Sequence, residues 1–272
     1  MKAKTRAIEF MMLVFAVNTG EWQGSQVVSI QFIGSGDAFA SGGRFQTCFR
    51  LMHDAGSLLI DCGASSLVAL KRRAIPPDSI DAIVLSHLHG DHFGGVPFFV
   101  LDAQFSRRSR PLVIAGPPGV KQRMLQAMEV LFPGSSSSRK PFALEFAELG
   151  WPARALAGAS ISALPVVHTP GANAHGIRIE LAGRIIAYSG DTEWTEALVD
   201  LAADADLFIC EAYFFEKRVP YHLDYRALTA RRSELRCKRI VLTHMSEDML
   251  AHRARVAAEG AELAEDGMVI EL

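Results

Sequence analysis

Short apolar runs separated by turn residues dominate the chain from residue 27 onward. Residues 27–33 are rich in β-branched side chains and end at a Gly-Ser-Gly-Asp turn, which predicts a strand. The same reasoning predicts strands at 49–52, 58–61, 82–85, 111–115, 161–167, 184–188, 207–210 and 239–242. Helices are predicted at 64–73, before Pro76-Pro77, and at 119–131, before a Pro-Gly-Ser turn. The alternation indicates an α/β protein.

Ionisable side chains follow five of these apolar strands directly. The strand at 82–85 continues into the polar segment 86–92, which contains three histidines and an aspartate. Four later strands end at His168, Asp191, Glu211 and His244. Chemistry-bearing residues commonly lie on loops at one edge of a rigid sheet scaffold, so this repetition predicts a site there.

Residues 87–92 have the pattern His-x-His-x-Asp-His. Neutral imidazole nitrogens and carboxylate oxygens are the donors that zinc, iron and manganese accept. His87 and His89 are one residue apart and can face one metal, while Asp91 and His92 turn towards a second position. A buried cluster of this kind without a metal would cost desolvation and mutual repulsion. The sequence therefore predicts a metal site, with a polar loop of incidental histidines as the alternative.

The chain resembles the metallo-β-lactamase-fold hydrolases, whose signature is this motif followed by a distant His, an Asp and a final His. Residues 34–39, 58–63, 188–192 and 242–246 are similar to segments of the ribonuclease Z and phosphodiesterase branch. The resemblance covers most of the chain from Val27 to Met245. It implies an αββα four-layer sandwich, in which two mixed sheets pack face to face between outer helices, with metals at one edge.

The resemblance also implies two divalent metal ions, with zinc expected first and manganese or iron as alternatives. The implied ligands are His87, His89 and His168 for one metal and Asp91, His92 and His244 for the other, with Asp191 bridging them. Asp61 would support the metal-binding loop without binding metal. From the residues alone, His168 and His244 could instead be hydrogen-bonded strand-end histidines, and Asp191 a turn or N-cap residue.

His222 and Glu211 resemble the His and Glu pair of the ribonuclease Z branch, in which the His sits near the scissile phosphate and the Glu orients it. As a general acid, His222 would protonate the departing oxygen. That branch usually has a small hydroxyl residue after the His, whereas Leu223 follows here. The predicted catalytic residues are Asp91, Glu211 and His222, and a plain surface histidine is the alternative for His222.

Composition and charge limit the partners. The 272 residues are 49% hydrophobic and 21% charged, which is typical of a globular core and excludes a wholly disordered chain. With 28 Lys and Arg against 30 Asp and Glu, no global basic field draws the chain to nucleic acid or anionic membrane. Basic clusters at 107–110 and 231–239 could still contact phosphates or be solvated. No linker or repeat divides residues 27–272, which predicts one domain.

The predicted activity is hydrolysis of a small or short-nucleotide phosphodiester by water that two metals activate. Ribonuclease Z carries an inserted arm that grips transfer RNA, and residues 141–168 leave no room for one, so long RNA is a less expected partner. The alternatives are a tRNA-processing endonuclease, a lactonase or other ester hydrolase, and a non-hydrolytic redox or accessory metal protein. The sequence also leaves open whether the protein forms a homodimer.

Residues 1–26 are predicted to be a loosely ordered N-terminal extension. Lys2, Lys4 and Arg6 precede an apolar stretch, as in a secretory signal, but Glu9 and an indifferent cleavage site favour a cytoplasmic protein. No later segment has the roughly 18 apolar residues of a membrane span. The four cysteines are far apart and lack a Cys-x-x-Cys pair, which predicts reduced thiols.

Overall fold

Two seven-stranded sheets form the centre of the computed structural model, which describes residues 27–272. The first sheet contains β1 (Ser29–Gly34), β2 (Cys48–His53), β3 (Gly56–Ile60), β4 (Ala82–Val84), β5 (Leu112–Gly116), β6 (Leu144–Glu148) and β14 (Val269–Glu271). The second contains β7 (Arg154–Leu156), β8 (Ala159–Pro165), β9 (His175–Leu181), β10 (Arg184–Tyr188), β11 (Leu207–Glu211), β12 (Ile240–Thr243) and β13 (Glu262–Leu263). Both sheets are mixed.

The two sheets have matching topologies. In the first, with the order β14-β1-β2-β3-β4-β5-β6, pairing is antiparallel up to β3 and parallel from β3 to β6. In the second, with the order β13-β12-β11-β10-β9-β8-β7, the strands from β10 to β13 are parallel and the others antiparallel. Parallel neighbours end at the same edge of a sheet, so the residues that follow β10, β11 and β12 are brought together.

Three apolar clusters build the layers. The largest lies between the sheets and includes Ile30, Leu58 and Ile209, all fully buried. A second cluster joins the first sheet to α1 (Ser66–Arg72), α2 (Gly90–Phe93), α3 (Val96–Phe105) and α4 (Val120–Leu131). A third joins the second sheet to α5 (Ala197–Ala202), α6 (Tyr225–Ala230), α7 (Glu247–Ala251) and α8 (Arg253–Ala258). This arrangement confirms the αββα prediction.

The predicted elements agree with the observed ones to within a few residues, and 184–188 coincides with β10. The sequence did not predict α3, whose apolar residues are too continuous to show helical periodicity. It also did not predict the strands β6, β7, β9, β13 and β14. The predicted extension 1–26 lies outside the described residues, and the single domain over 27–272 stays a prediction. Cys48, Cys62, Cys210 and Cys237 are free thiols. Within residues 27–272, no helix has the length and apolarity required to cross a bilayer.

The basic cluster at 107–110 is partly built into the fold through Arg108. The side chain of Arg108 is 2% exposed. Its guanidinium donates hydrogen bonds to the backbone carbonyls of Pro77, Ile80, Arg110 and Pro111. Arg110 forms an ion pair with Asp81. Arg108 is therefore not a solvated side chain, whereas Arg107 and Arg110 are exposed and phosphate contact by them stays a prediction.

Candidate metal centre

The seven predicted ligands come together at one edge of the two sheets. His87 and His89 follow β4, and α2 carries Asp91 and His92. The remaining three follow strands of the second sheet: His168 after β8, Asp191 after β10 and His244 after β12. Six of the seven form two groups of potential ligand atoms, His87 with His89 and His168, and Asp91 with His92 and His244, and Asp191 joins the second group.

The first group is spaced as ligands of one ion would be. Nδ1 of His89 lies 3.2 Å from Nε2 of His87 and 3.1 Å from Nε2 of His168. Two nitrogens bound tetrahedrally at about 2.0–2.1 Å are separated by about 3.3 Å. The three nitrogens therefore have the separations of a shared coordination sphere.

The second group has the same spacing. Nε2 of His92 lies 3.3 Å from Nε2 of His244, and Oδ2 of Asp91 lies 3.2 Å from each of these nitrogens. The imidazole of His92 is fully buried, and that of His244 is 1% exposed. A carboxylate with two imidazoles is a common donor set for zinc, iron and manganese.

Asp191 lies between the two groups. Its Oδ1 is 3.3 Å from Nε2 of His92, and its Oδ2 is 3.4 Å from Nε2 of His244. Oδ2 is also 3.9 Å from Nε2 of His87 and 4.0 Å from Nε2 of His168. The buried Oδ1 accepts no hydrogen bond within the described structure. An anion shared by both groups is what a pair of cations about 3.5–4 Å apart requires.

The imidazoles turn lone pairs towards one another, which favours a cation. Nδ1 of His92 lies 2.7 Å from Oδ2 of Asp61, and Nδ1 of His168 lies 2.8 Å from the carbonyl of Tyr221. These acceptors fix the proton on each outer nitrogen, so the inner Nε2 of a neutral ring is an unprotonated donor to metal. The donor set and the unpaired oxygen of Asp191 thus fit divalent metal ions.

Several supporting contacts escaped the sequence analysis. The hydroxyl of Thr169 lies 3.1 Å from Nε2 of His89, and the hydroxyl of Ser86 lies 3.1 Å from Nδ1 of His87. Asp61, expected as a supporting residue, also accepts hydrogen bonds from the backbone and hydroxyl of Ser86. Ser86 and Thr169 each stand next to a ligand histidine in the sequence, so a signal for these two contacts was visible. The carbonyl of Tyr221 had no such signal, because any residue supplies one.

The charge states divide the ligands into two sets. Burial holds the pKa of His87, His89 and His168 below the ordinary value, so these rings are neutral near pH 7. Burial also acts to lower the pKa of His92 and His244, but nearby carboxylates, above all Asp191, outweigh it and raise both values. Without a metal, protons on these two rings balance the acidic side chains.

The half-buried His222 and the fully buried Glu211 form a hydrogen-bonded pair beside the two groups. Nδ1 of His222 lies 2.9 Å from Oε2 of Glu211, which is fully buried at the end of β11. The other oxygen of Glu211 accepts a hydrogen bond from the backbone of Thr192. Burial alone would lower the pKa of His222, yet the hydrogen bond and charge of Glu211 raise it. The ring of His222 stacks on Tyr213, with centroids 4.6 Å apart.

A cavity of about 150 Å³ opens above these residues, and we call it the site cavity. It is lined by Ala38, Phe39, Thr169, Tyr213 and His222 together with His89, Asp91, His168, Asp191 and His244. The structure thus places His222 at the same opening as the predicted ligands. His175 is a further histidine of the chain. It is the first residue of β9 and does not line the site cavity.

The fold is that of the metallo-β-lactamase proteins. The metallo-β-lactamase fold protein YhfI from Bacillus subtilis superimposes with a TM-score of 0.76 at 20% identity, covering 91% of this chain and 100% of that chain. The short form of human tRNase Z superimposes with a TM-score of 0.71 at 24% identity, covering 89% of this chain and 98% of that chain. A diphosphatase from the PhnP family superimposes with a TM-score of 0.73 at 21% identity, covering 90% of this chain and 98% of that chain.

A family model described as anti-Pycsar protein Apyc1 matches residues 28–270, and the chain belongs to this family. Ribonuclease Z of Lachnospira eligens is 24% identical over 304 residues, covering 90% of this chain and 98% of the relative. Ribonuclease Z of Limosilactobacillus fermentum is 26% identical over 310 residues, with the same coverage. These similarities confirm the predicted relationship and the prediction of a metal-dependent hydrolase.

Proposed function

We propose that the chain is a phosphodiesterase that uses two divalent metal ions, zinc being the first candidate, to hydrolyse a small or nucleotide-type phosphodiester. The observation that carries this proposal is the position of Asp191 between two three-donor groups, next to the His222 and Glu211 pair. Three donors and a shared carboxylate give each ion four protein ligands.

Each metal would be held by residues of both sheets. His87, His89 and His168 would bind one ion, Asp91, His92 and His244 the other, and Asp191 both. Cations bound there would supply Lewis acidity towards a phosphoryl oxygen and lower the pKa of water. The contacts of Asp61, Thr169 and Ser86 would hold the ligand imidazoles in one tautomer and orientation.

His222 would deliver the proton that the leaving oxygen needs. Its pKa is raised by Glu211, so the protonated ring is available near neutral pH, and its Nδ1 is fixed by the carboxylate. Nε2 is then free to donate a proton into the site cavity. Asp91 and Glu211 act through other groups in this scheme, the first as a metal ligand and the second by orienting and charging His222.

Three observations support a small phosphodiester as substrate. Relatives of the chain are named ribonuclease Z and diphosphatase, and both names refer to phosphorus chemistry. Residues 141–168 form β6, β7 and β8 with short connections, and an inserted arm for long RNA has no place there. The site cavity of about 150 Å³ is small and open to solvent, which suits a phosphodiester whose remaining groups extend out of it.

Free thiols at all four cysteines suit a reducing compartment, so a cytoplasmic location stays our prediction. A homodimer likewise stays a prediction. Neither is needed for the proposed chemistry, because every candidate ligand belongs to one chain.

The decisive experiment is metal analysis of protein purified without chelator, followed by turnover of bis(p-nitrophenyl) phosphate, cyclic nucleotides, precursor tRNA and lactones. We expect two equivalents of metal and turnover of the small diesters. Asp191→Asn should lose metal and activity, while His175→Ala, a nearby histidine outside the site cavity, should keep both. Turnover confined to lactones, or protein without bound metal that is fully active, would contradict the proposal.

A further inference from the structure

Phe39 is an aromatic side chain held in solvent at the mouth of the site cavity. It is 81% exposed. Several other large apolar side chains are exposed, but among the described residues Phe39 is the only one of them that lines the site cavity. A single exposed apolar ring is common on protein surfaces, so it is the position of Phe39 on the lining of the site cavity that makes it available to a bound ligand.

The loop that carries Phe39 is held by hydrogen bonds to the side chain of Asp37. The fully buried carboxylate of Asp37 accepts hydrogen bonds from the backbone of Phe39 at 3.2 Å and of Ser41 at 2.9 Å, and from the Ser41 hydroxyl at 2.8 Å. Ala40 adopts a left-handed conformation with φ of 59°, and the side chain of Gln46 donates to the carbonyl of Ala38. The backbone therefore presents the ring of Phe39 in a preorganised position.

The charges of the residues that line the site cavity limit which ligand groups the ring of Phe39 can contact. None of the described residues that line the site cavity is Lys or Arg, and its negative side chains are all paired with histidines. Bound metals would therefore neutralise the charge of one phosphate. No Lys or Arg on the described lining of the site cavity is available to bind a second anionic group. An exposed phenyl ring beside such a site fits a flat, neutral ring system attached to that phosphate.

We propose that Phe39 is a specificity-determining residue that stacks on the heterocyclic base of a nucleotide whose phosphate lies at the metal centre. This inference rests on the proposed function, because it assumes a phosphate between the metals and His222. Stacking of a base on an aromatic ring is tolerant of sequence and grows with the area of the base, so purines should bind more tightly than pyrimidines.

The test is calorimetric binding of guanosine monophosphate, uridine monophosphate and ribose 5-phosphate to metal-loaded protein. We expect affinity to fall in that order. Phe39→Ala should weaken nucleotide binding about five- to thirtyfold, the size of one lost stack, and leave ribose 5-phosphate within about twofold. Phe39→Trp should restore the preference, and its fluorescence should be quenched by the nucleotides. Phe105→Ala, an equally exposed phenylalanine on α3, should change nothing.

Equal loss for all three ligands, no loss in Phe39→Ala, or no nucleotide binding by the parent protein would overturn the assignment. A change in molecular mass of Phe39→Ala on light scattering would also overturn it, because the ring would then contact a second copy. The readout is binding, so it is separate from turnover. If nucleotides bind with the expected order while no diester is hydrolysed, the proposed function fails and the role of Phe39 stands.

Discussion

Nδ1 of His222 lies 2.9 Å from Oε2 of Glu211, and this contact joins a half-buried imidazole to a carboxylate that has no exposed surface. Burial raises the pKa of Glu211, and the hydrogen bond and charge of Glu211 raise that of His222. The hydrogen bond and the carboxylate of Glu211 therefore favour the protonated form of His222 at the mouth of the site cavity. The remaining face of His222 is stacked on Tyr213, which limits the ring to one orientation.

Replacing His222 should affect substrates according to their leaving group. For a diester with a poor alkoxide leaving group, His222→Ala should reduce kcat about 100-fold or more, since general acid catalysis typically contributes that much. For bis(p-nitrophenyl) phosphate the loss should be much smaller, because nitrophenolate departs without a proton. The measurement is kcat for the two substrates in both proteins. An equal loss on both would instead point to binding or folding.

Glu211→Gln should move the alkaline limb of the pH–rate profile to lower pH. Glu211 raises the pKa of His222, and activity that requires protonated His222 falls as pH rises through this pKa. Removing the carboxylate charge lowers the pKa, so the fall begins earlier. The profile of kcat between pH 5 and 10 tests this, with metal content measured at each pH. Movement of the limb to higher pH would contradict the proposed pairing.

Thr169→Val should weaken metal binding without unfolding the protein. The hydroxyl of Thr169 lies 3.1 Å from Nε2 of His89, and it holds the ring so that Nδ1 faces the other ligands. Loss of such a supporting contact typically costs 10–100-fold in metal affinity, and we expect about that. Competition with a chelator measures it. Thr169→Ser keeps the hydroxyl and should be close to the parent protein, as should Thr229→Val on the exposed face of α6. Unchanged affinity in Thr169→Val would show that Thr169 does not orient His89.

Nine of the fourteen strands within residues 27–272 could be predicted from the sequence, and so could the convergence of the ionisable residues that follow some of them, whereas β6, β7, β9, β13 and β14 were not predicted. Parallel strands end at a common edge, so an ionisable residue after each apolar run predicts a convergent site. His87, Asp191 and His244 all fit this rule. The order of the layers came from the resemblance to the known family. Periodicity could not supply it, because an apolar pattern shows which face of a strand or helix is buried but not which element packs against that face.

Other features depended on three-dimensional contacts that local sequence does not encode. Arg108 looked like part of a basic surface, yet its guanidinium is buried among carbonyl groups from residues 77 to 111. Phe39 ends the segment 34–39, whose similarity to the ribonuclease Z and phosphodiesterase branch does not indicate that the ring is exposed at the site cavity, in a loop that Asp37 holds by hydrogen bonds. The carbonyl of Tyr221 accepts a hydrogen bond from His168, and Tyr221 adopts a φ of 72°, a conformation that its side chain does not signal in the sequence.

Metal affinity should rise with pH up to about pH 9, because metal and protons compete for the same nitrogens. Burial acts to lower the pKa of His244, but Asp191 and Asp91 raise it to about 9. The pKa of His92 is raised by the same carboxylates. Both raised values favour protonated rings near pH 7 in metal-free protein, so we expect metal binding to expel about two protons.

Titration calorimetry in buffers of different ionisation enthalpy measures this proton release directly. The expected result is release of about two protons at pH 7 and fewer above pH 9, with affinity falling steeply as pH drops towards 6. His244→Asn removes one titrating ring and should release about one proton fewer, with a shallower dependence on pH. His252→Asn, outside the site cavity, should match the parent protein. A metal affinity independent of pH between 6 and 9 would show that His92 and His244 are neutral without the metal, and that Asp91 and Asp191 are balanced in another way.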